Sequence, residues 1–395
     1  MDACTTGQRI RRVRRARSRS LQATAELAGI SRVHLNRIER AETSPNLSEI
    51  VALAGVLQIA PSELTNLPVP APANGHTDAT IEAVRLAMDA IDLNRLGGLV
   101  LPVRMLRDRV VRIHAQRQAC QSAEVAADLP GLIRDLHTTL TIGTDHGELL
   151  DLAVYLHVHV TRMWLVNAAA PTDLRRRSVF LARRLAQERD EVTTLAMAGF
   201  GVVDVLLYGG SFELGHTELN SLILPPATAE TAGLLSLITV QHAVAAALNG
   251  RPSDAAAPMK AAVELGGRFG ATGETDQWGF WPGAAQVTLD RMWLAVEMNE
   301  PDQAVSIAQD VDPAGYPTAV HRAYHWVHYG RALTRLRGPL DDAVLALRTA
   351  EDLFPTAVHR DPMVRDVLGE LLRRSRRDAT GQELQGMAYR AGLTG

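Results

Sequence analysis

Little in this chain points to covalent or redox chemistry. Its 395 residues include two cysteines, Cys4 and Cys120, too few for a disulfide framework and without the spacing of a metal-binding pair. Lysine is nearly absent, one residue against 40 arginines, which reads as coding bias rather than mechanism. No apolar run can cross a bilayer: the longest, Leu195 to Leu207, contains Asp204 and falls short of the roughly 20 residues a span needs. An apolar signal region is missing from the N-terminus, so the expected compartment is the cytoplasm. Catalytic motifs are missing too. Gly266 to Gly273 resembles a phosphate loop only in glycine content, with no strand signal before it and no Gly-Lys-Ser/Thr after it, and reads as a turn between helices. His157 and His159 lie two apart on a helical pattern, so they diverge and do not share a metal. The expectation is a protein with no catalytic residue, metal or cofactor.

What the chain does have is concentrated between Gly7 and Leu64. Within Thr24 to Arg40, Gly29 supplies a positive-φ residue to end one short helix, and Ser31 is a good N-cap for the next. At about 100° per residue, Leu35 and Ile38 point inward, while Arg32, Val33, Asn36, Arg37 and Arg40 share the outward side. Arginine can grip guanine bidentately, asparagine can pair with adenine, and a valine methyl can meet a thymine methyl. The plainer alternative is a solvated face on an ordinary helical hairpin.

These residues resemble the lambda-repressor/Cro type of helix-turn-helix domain, the XRE family. The likeness rests on Ala25, Ala28-Gly29-Ile30-Ser31, Leu35, Ile38, Glu39 and Pro45, then on Ile50, Leu53, Leu57, Pro61 and Leu64 in the closing helices. It implies a five-helix DNA-binding domain and a partly buried ion pair between Arg14 and Glu39. Gln22, Ser31, His34 and Ser44 complete the expected DNA contacts. Two positions depart from the pattern. Leu21 stands where the family often has glutamine, and Ala41 where it usually has glycine, which suggests a different exit from the third helix.

Charge is partitioned in the same sense. Residues 1–64 hold ten arginines and no lysine against six acidic residues, a net +4, whereas the rest carries −7 of the total of −3. Seven of those arginines fall between Arg9 and Arg19. Ile10 and Val13 at helical spacing make that segment a packed helix, with Arg11 and Arg15 placed to meet phosphates. A basic end on an acidic chain fits a polyanion, here double-stranded DNA.

Residues 65–76, with alternate prolines at 68, 70 and 72, read as a stiff linker holding the head apart from the rest of the chain. From 77 to 395 strand signals nearly vanish, apolar residues recur every three or four positions, and the expected fold is all-α, in paired helices. The clearest pair is Tyr324 to Leu336 with Asp341 to Leu353, closed by Pro355. Weaker copies are Leu289 to Met298 with Pro301 to Asp310, and Val240 to Asn249 with Ser253 to Leu265. Ala343, Ala350 and Pro355 resemble a tetratricopeptide second helix. With the N-terminal module, the arrangement resembles actinobacterial regulators in which a tetratricopeptide-like array dimerises and receives an effector. That resemblance implies a homodimer and a small-molecule or peptide ligand.

Aromatics are few but clustered, at Trp278, Phe280, Trp281, Trp293, Tyr324, Trp326 and Tyr329. A pocket formed from Trp278, Trp281, Arg291, His325 and Tyr329 is the candidate ligand site; a local aromatic core is the alternative. His321, His325 and His328 share one helix face at i, i+4, i+7, consistent with polar packing or with a sensor. The reading is a dimeric transcription regulator with no membrane segment. Its rival is a helical protein-interaction scaffold whose head is vestigial or binds protein.

Overall fold

A computed structural model describes residues 5–65, 75–143, 145–269, 284–375 and 378–393. The chain is all-α, and among the described residues there is no strand.

The head has five helices: α1 (Thr6–Ala16), α2 (Leu21–Leu27), α3 (Arg32–Glu39), α4 (Leu47–Leu57) and α5 (Pro61–Thr65). Local chemistry sets the first four starts. Thr5 and Asn46 form reciprocal capping boxes with Gln8 and Glu49, and the Ser20 and Ser31 hydroxyls accept from the amides of Ala23 and His34. Ile10, Ala25, Leu35, Ile38, Ile50, Leu53, Ala54, Leu57 and Leu64 are fully buried and form one core. These are the inward positions given by helical periodicity.

The chain divides into two compact units. One joins the head with Thr288–Tyr316 and His321–Gly395; the other holds Gly75–Val287 and Pro317–Val320. This grouping differs from the expected separation of head and body by a spacer at 65–76. The head packs on residues more than 300 positions away, and Met363 adds to its core. Residues 66–74 lie outside the described residues, while Gly75 already belongs to the next helix, Gly75–Asp92.

In the first unit, the expected pair is present as Ala319–Leu336 and Leu340–Leu353, close enough that a Cβ at Gly330 would lie 2.8 Å from Leu347 Cγ. Ala343 and Ala350 are buried at their junction with the C-terminal helices. Of the two weaker expected pairs, one falls on Ala284–Glu297 with Pro301–Gln309, and the other, on Ala232–Leu248 with Ala256–Phe269, belongs to the second unit. Gly266 and Gly267 lie within Ala256–Phe269 rather than in a connecting turn, and 270–273 lie outside the described residues.

In the second unit, consecutive helices such as Thr172–Arg189 and Val192–Tyr208 pack side by side. The run His146–Asn167 is the one helix among the described residues long and apolar enough to cross a membrane, and 72% of its apolar window is buried inside the unit. A single turn of π-helix, Leu156–Thr161, interrupts it, and all six residues of that turn are buried.

Candidate nucleic-acid interface

Gly29, at φ +69°, ends α2, and its own amide and that of Ile30 return to Glu26 and Ala25 at 3.1 and 3.0 Å. The reversal brings α3 across α2 with Leu35 and Ile38 inside. On the outer side Arg32, Val33, Asn36 and Arg40 are exposed, and Arg37 is half-buried. Val33 is 70% exposed in the first turn of α3, a position that packing does not explain and that a base methyl would cover. Leu27, at the end of α2, is 63% exposed and was not among the residues expected from sequence. Arg40 pairs with Glu42 at 2.7 Å, whereas among the described residues nothing pairs with Arg11, Arg15, Arg32 or Arg37. Arg9 and Arg17 are engaged within the head, on the carbonyls of Glu63 and Gln58.

Three expected contacts sit differently. His34 is half-buried, its Nε2 2.8 Å from Glu49 Oε1, and so ties α3 to α4. Burial pushes the Glu49 carboxyl up, but hydrogen bonds from His34 and the Asn46 amide outweigh it and hold the group below the usual range. Ser44 is buried, with its amide and hydroxyl both donating to Glu370 Oε2 at 3.1 and 3.4 Å, and it is removed from the open face. Gln22 is exposed and donates to Glu26. Ser31 acts as the cap of α3. Leu21, in the place of the family's glutamine, packs against the head core.

The orientation of α3 is fixed from behind. Arg14 grips Glu39 with two parallel bonds, Nε to Oε1 at 2.5 Å and Nη2 to Oε2 at 2.8 Å, while its third nitrogen donates to Arg19 O at 2.7 Å. Glu39 is 3% exposed. Its hydrogen bond raises the Arg14 pKa further. The exit of α3 keeps the left-handed turn despite the missing glycine: Ala41 has φ 55°, and the amides of Ala41 and Glu42 return to Ile38 and Arg37 at 2.8 and 2.7 Å. Two such bonds offset the roughly 1–2 kcal/mol that a side chain costs in this region. The different exit suggested by the sequence does not occur.

Gly7 escaped the sequence reading. A Cβ there would lie 1.9 Å from the backbone oxygen of Ile38, so α1 crosses the end of α3 at backbone contact. Its one sequence signal is a glycine in the first turn of a capped helix. Gly7→Ala is expected to destabilise the head by about 2–3 kcal/mol through forced separation of the two helices. Gly55→Ala, in a helix with nothing within 4 Å, should be neutral or mildly stabilising. Equal melting temperatures for the two variants would show that α1 and α3 are not in backbone contact.

Of the candidate ligand residues, Trp278 and Trp281 lie outside the described residues. Arg291 is exposed and His325 is buried. His325 and Tyr329 come together with ring centroids 6.4 Å apart, joined by Trp326 and by Tyr316, which sequence reasoning did not select. His321 and His328 are buried beside Tyr316 and Tyr324. Burial lowers His325 to about 4 and His328 well below its ordinary value, so both are uncharged at neutral pH. Among the described residues no three His, Cys, Asp or Glu side chains gather as a metal-binding group.

The head is thus a capped two-helix reversal whose outer face carries Arg32, Asn36, Arg37 and the Glu42-paired Arg40. Residues 10–64 match the family described as helix-turn-helix, which supports a DNA-binding regulator and is not an enzymatic family. No curated protein and no solved structure matches the chain.

Proposed function

We propose that the protein is a sequence-specific transcription regulator that acts as a homodimer in the cytoplasm. In this reading the head reads operator DNA, and residues 77–395, similar to a tetratricopeptide array, pair the subunits and receive a small molecule or peptide. The observation that carries it is the outer face of α3, where Arg32 and Arg37 have no protein partner among the described residues and Val33 stands exposed. A single head covers only a few base pairs, so useful specificity calls for two heads on half-sites about 34 Å apart. An effector in this reading meets the rings of His325 and Tyr329, which cluster with Tyr316 and Trp326, and Arg291 is a further proposed contact.

A gel shift of the full chain on its own upstream DNA and on random DNA, at two salt concentrations, tests the reading; equal affinity for both duplexes would end it. Readers and anchors separate in the same assay. Arg32→Ala or Arg37→Ala is expected to weaken the specific duplex by about 1–3 kcal/mol and relax preference at one base pair. Arg11→Ala or Arg15→Ala should weaken both duplexes alike and reduce the salt slope by about one. Equal losses on specific and random DNA for the first pair would reverse the assignment.

A further inference from the structure

Three backbone amides of the head are held by three buried carboxylates, one from the helix Ala284–Glu297 and two from Pro362–Arg374. Thr6, the first residue of α1, donates to Asp366 Oδ1 at 3.0 Å; Ser44 donates to Glu370 Oε2 at 3.1 Å; Leu47, the first residue of α4, donates to Glu297 Oε2 at 2.8 Å. Glu297, Asp366 and Glu370 are 2–5% exposed. The other oxygen of Glu297 accepts from the buried Arg331 at 2.7 Å, which fixes the carboxylate from the body side.

Two of these carboxylates belong to one face of one helix, Pro362–Arg374. Met363, Asp366, Glu370 and Arg373 follow at intervals of three, four and three. Met363 packs on the head core, a Cβ at Gly369 would lie 3.6 Å from Thr5 Cγ2, and Arg373 feels the charges of Glu42, Glu370 and Asp366. Arg335 feels Glu297, Glu370 and Glu49, and Glu49 is the carboxylate that holds His34 of α3. A continuous set of polar contacts and charges therefore runs from the C-terminal helices to the recognition helix, while Arg32, Val33 and Asn36 stay exposed.

We propose that Glu297, Asp366 and Glu370 are positioning residues for DNA reading. They seat the head on the helices Ala284–Glu297 and Pro362–Arg374, so that α3 is presented at an angle set by those two helices. The inference rests on the DNA-binding reading for its purpose, but the seating itself is testable without DNA. Any change in the C-terminal helices that moves Glu297 against Glu370 would re-aim the recognition helix, which makes this contact the place where an effector signal would reach it.

Leu47→Pro is suited to the test. Proline is tolerated at the first position of a helix, and Asn46 before it is already extended at φ −89° and ψ 174°, so the substitution removes the amide that meets Glu297 and leaves α4 capped. Combined with Glu370→Ala it cuts two of the three contacts. In the full chain, with Cys4 and Cys120 replaced by serine, spin labels at Gly55→Cys in the head and Leu345→Cys in the body report their separation. The parent is expected to give one narrow distance, and the double variant a broad one. Glu370→Gln, which keeps an acceptor for Ser44, should stay narrow.

The DNA arm uses a duplex selected from a random pool by the full chain, together with one half of that duplex. The double variant is expected to lose about tenfold on the whole duplex and nothing on the half-site. An unchanged narrow distance in the double variant would overturn the proposal, as would equal losses on the whole duplex and the half. Failure to select any duplex would overturn the DNA reading, and the distance measurement would still decide the seating.

Discussion

Acidification from pH 7.5 to 5 is expected to cost the unit containing Gly75–Val287 about 2 kcal/mol for each histidine that the fold keeps neutral. Four histidines carry this expectation. His137 and His157 face each other with Nε2 atoms 2.9 Å apart, and His159 lies between the rings of His114 and Tyr155, with centroids 5.8 and 4.8 Å away. Burial is the leading cause in every case. It lowers His114 to about 3 and His137 to about 4, and holds His157 and His159 well below the ordinary value, with the charges of Arg117 and Arg162 adding at His159.

The folded values lie below the unfolded one near 6.5, so the unfolded chain takes up protons first. Stability is complete above about 6.5 and is lost as the pH falls toward 4. One proton shared across the His137–His157 contact would spare part of the cost, leaving a total of roughly 6 kcal/mol, which is comparable to the whole stability of many domains. A urea titration followed by circular dichroism should show the midpoint collapse between pH 7.5 and 5. His159→Gln should remove about 2 kcal/mol of that difference whatever it does at pH 7.5. An identical midpoint at both pH values would mean that these rings accept protons inside the fold.

The histidine contacts also mark the limit of what the sequence conveys. Their spacing correctly separates His157 from His159, because neighbours two apart on a helix diverge. It carries no hint that each meets a histidine from another helix, His137 or His114, at separations of 20 and 45 positions. The head behaves in the opposite way. Gly29, the Ser31 cap and the inward pair Leu35 and Ile38 act within a few residues of one another, so local chemistry alone locates α2, its turn and α3. Ser44 shows where that reasoning stops. Its place in the loop after α3 suits a phosphate, yet its partner is Glu370, 326 positions away, and no local pattern encodes that meeting. The face of Pro362–Arg374 that meets the head is amphipathic in the ordinary sense, with nothing to say that its polar residues would be buried against residues 5–47. Ala41 fails for another reason: the sequence registers the missing Cβ-free residue but not the two backbone hydrogen bonds that hold the left-handed turn regardless.

Arg14 and Glu39 give the second large effect, and the two single substitutions are expected to differ. Glu39→Ala leaves Arg14 with one carbonyl partner, but its side chain is 11% exposed and can draw in water, so the cost should be about 3 kcal/mol. Arg14→Ala leaves a carboxylate that is 3% exposed with its bidentate partner gone, and the cost should be nearer 4 kcal/mol. Either loss frees the end of α3 against α1, so binding of specific DNA should fall further than the loss of stability alone accounts for. A paired replacement, Arg14→Met with Glu39→Leu, removes both charges and keeps apolar volume in the same space. Buried ion pairs contribute little net stability against well-packed apolar residues, and the double variant should therefore melt within about 1 kcal/mol of the parent. DNA affinity separates the roles. If the pair serves only to fill the space behind α3, the Met/Leu variant will bind specific DNA as the parent does; if the two parallel bonds set the angle of α3, it will fold and bind more weakly. The geometry favours the second outcome, since two bonds at 2.5 and 2.8 Å fix direction as well as distance. Additive losses in the two single variants, with no recovery in the pair, would show that Arg14 and Glu39 act separately.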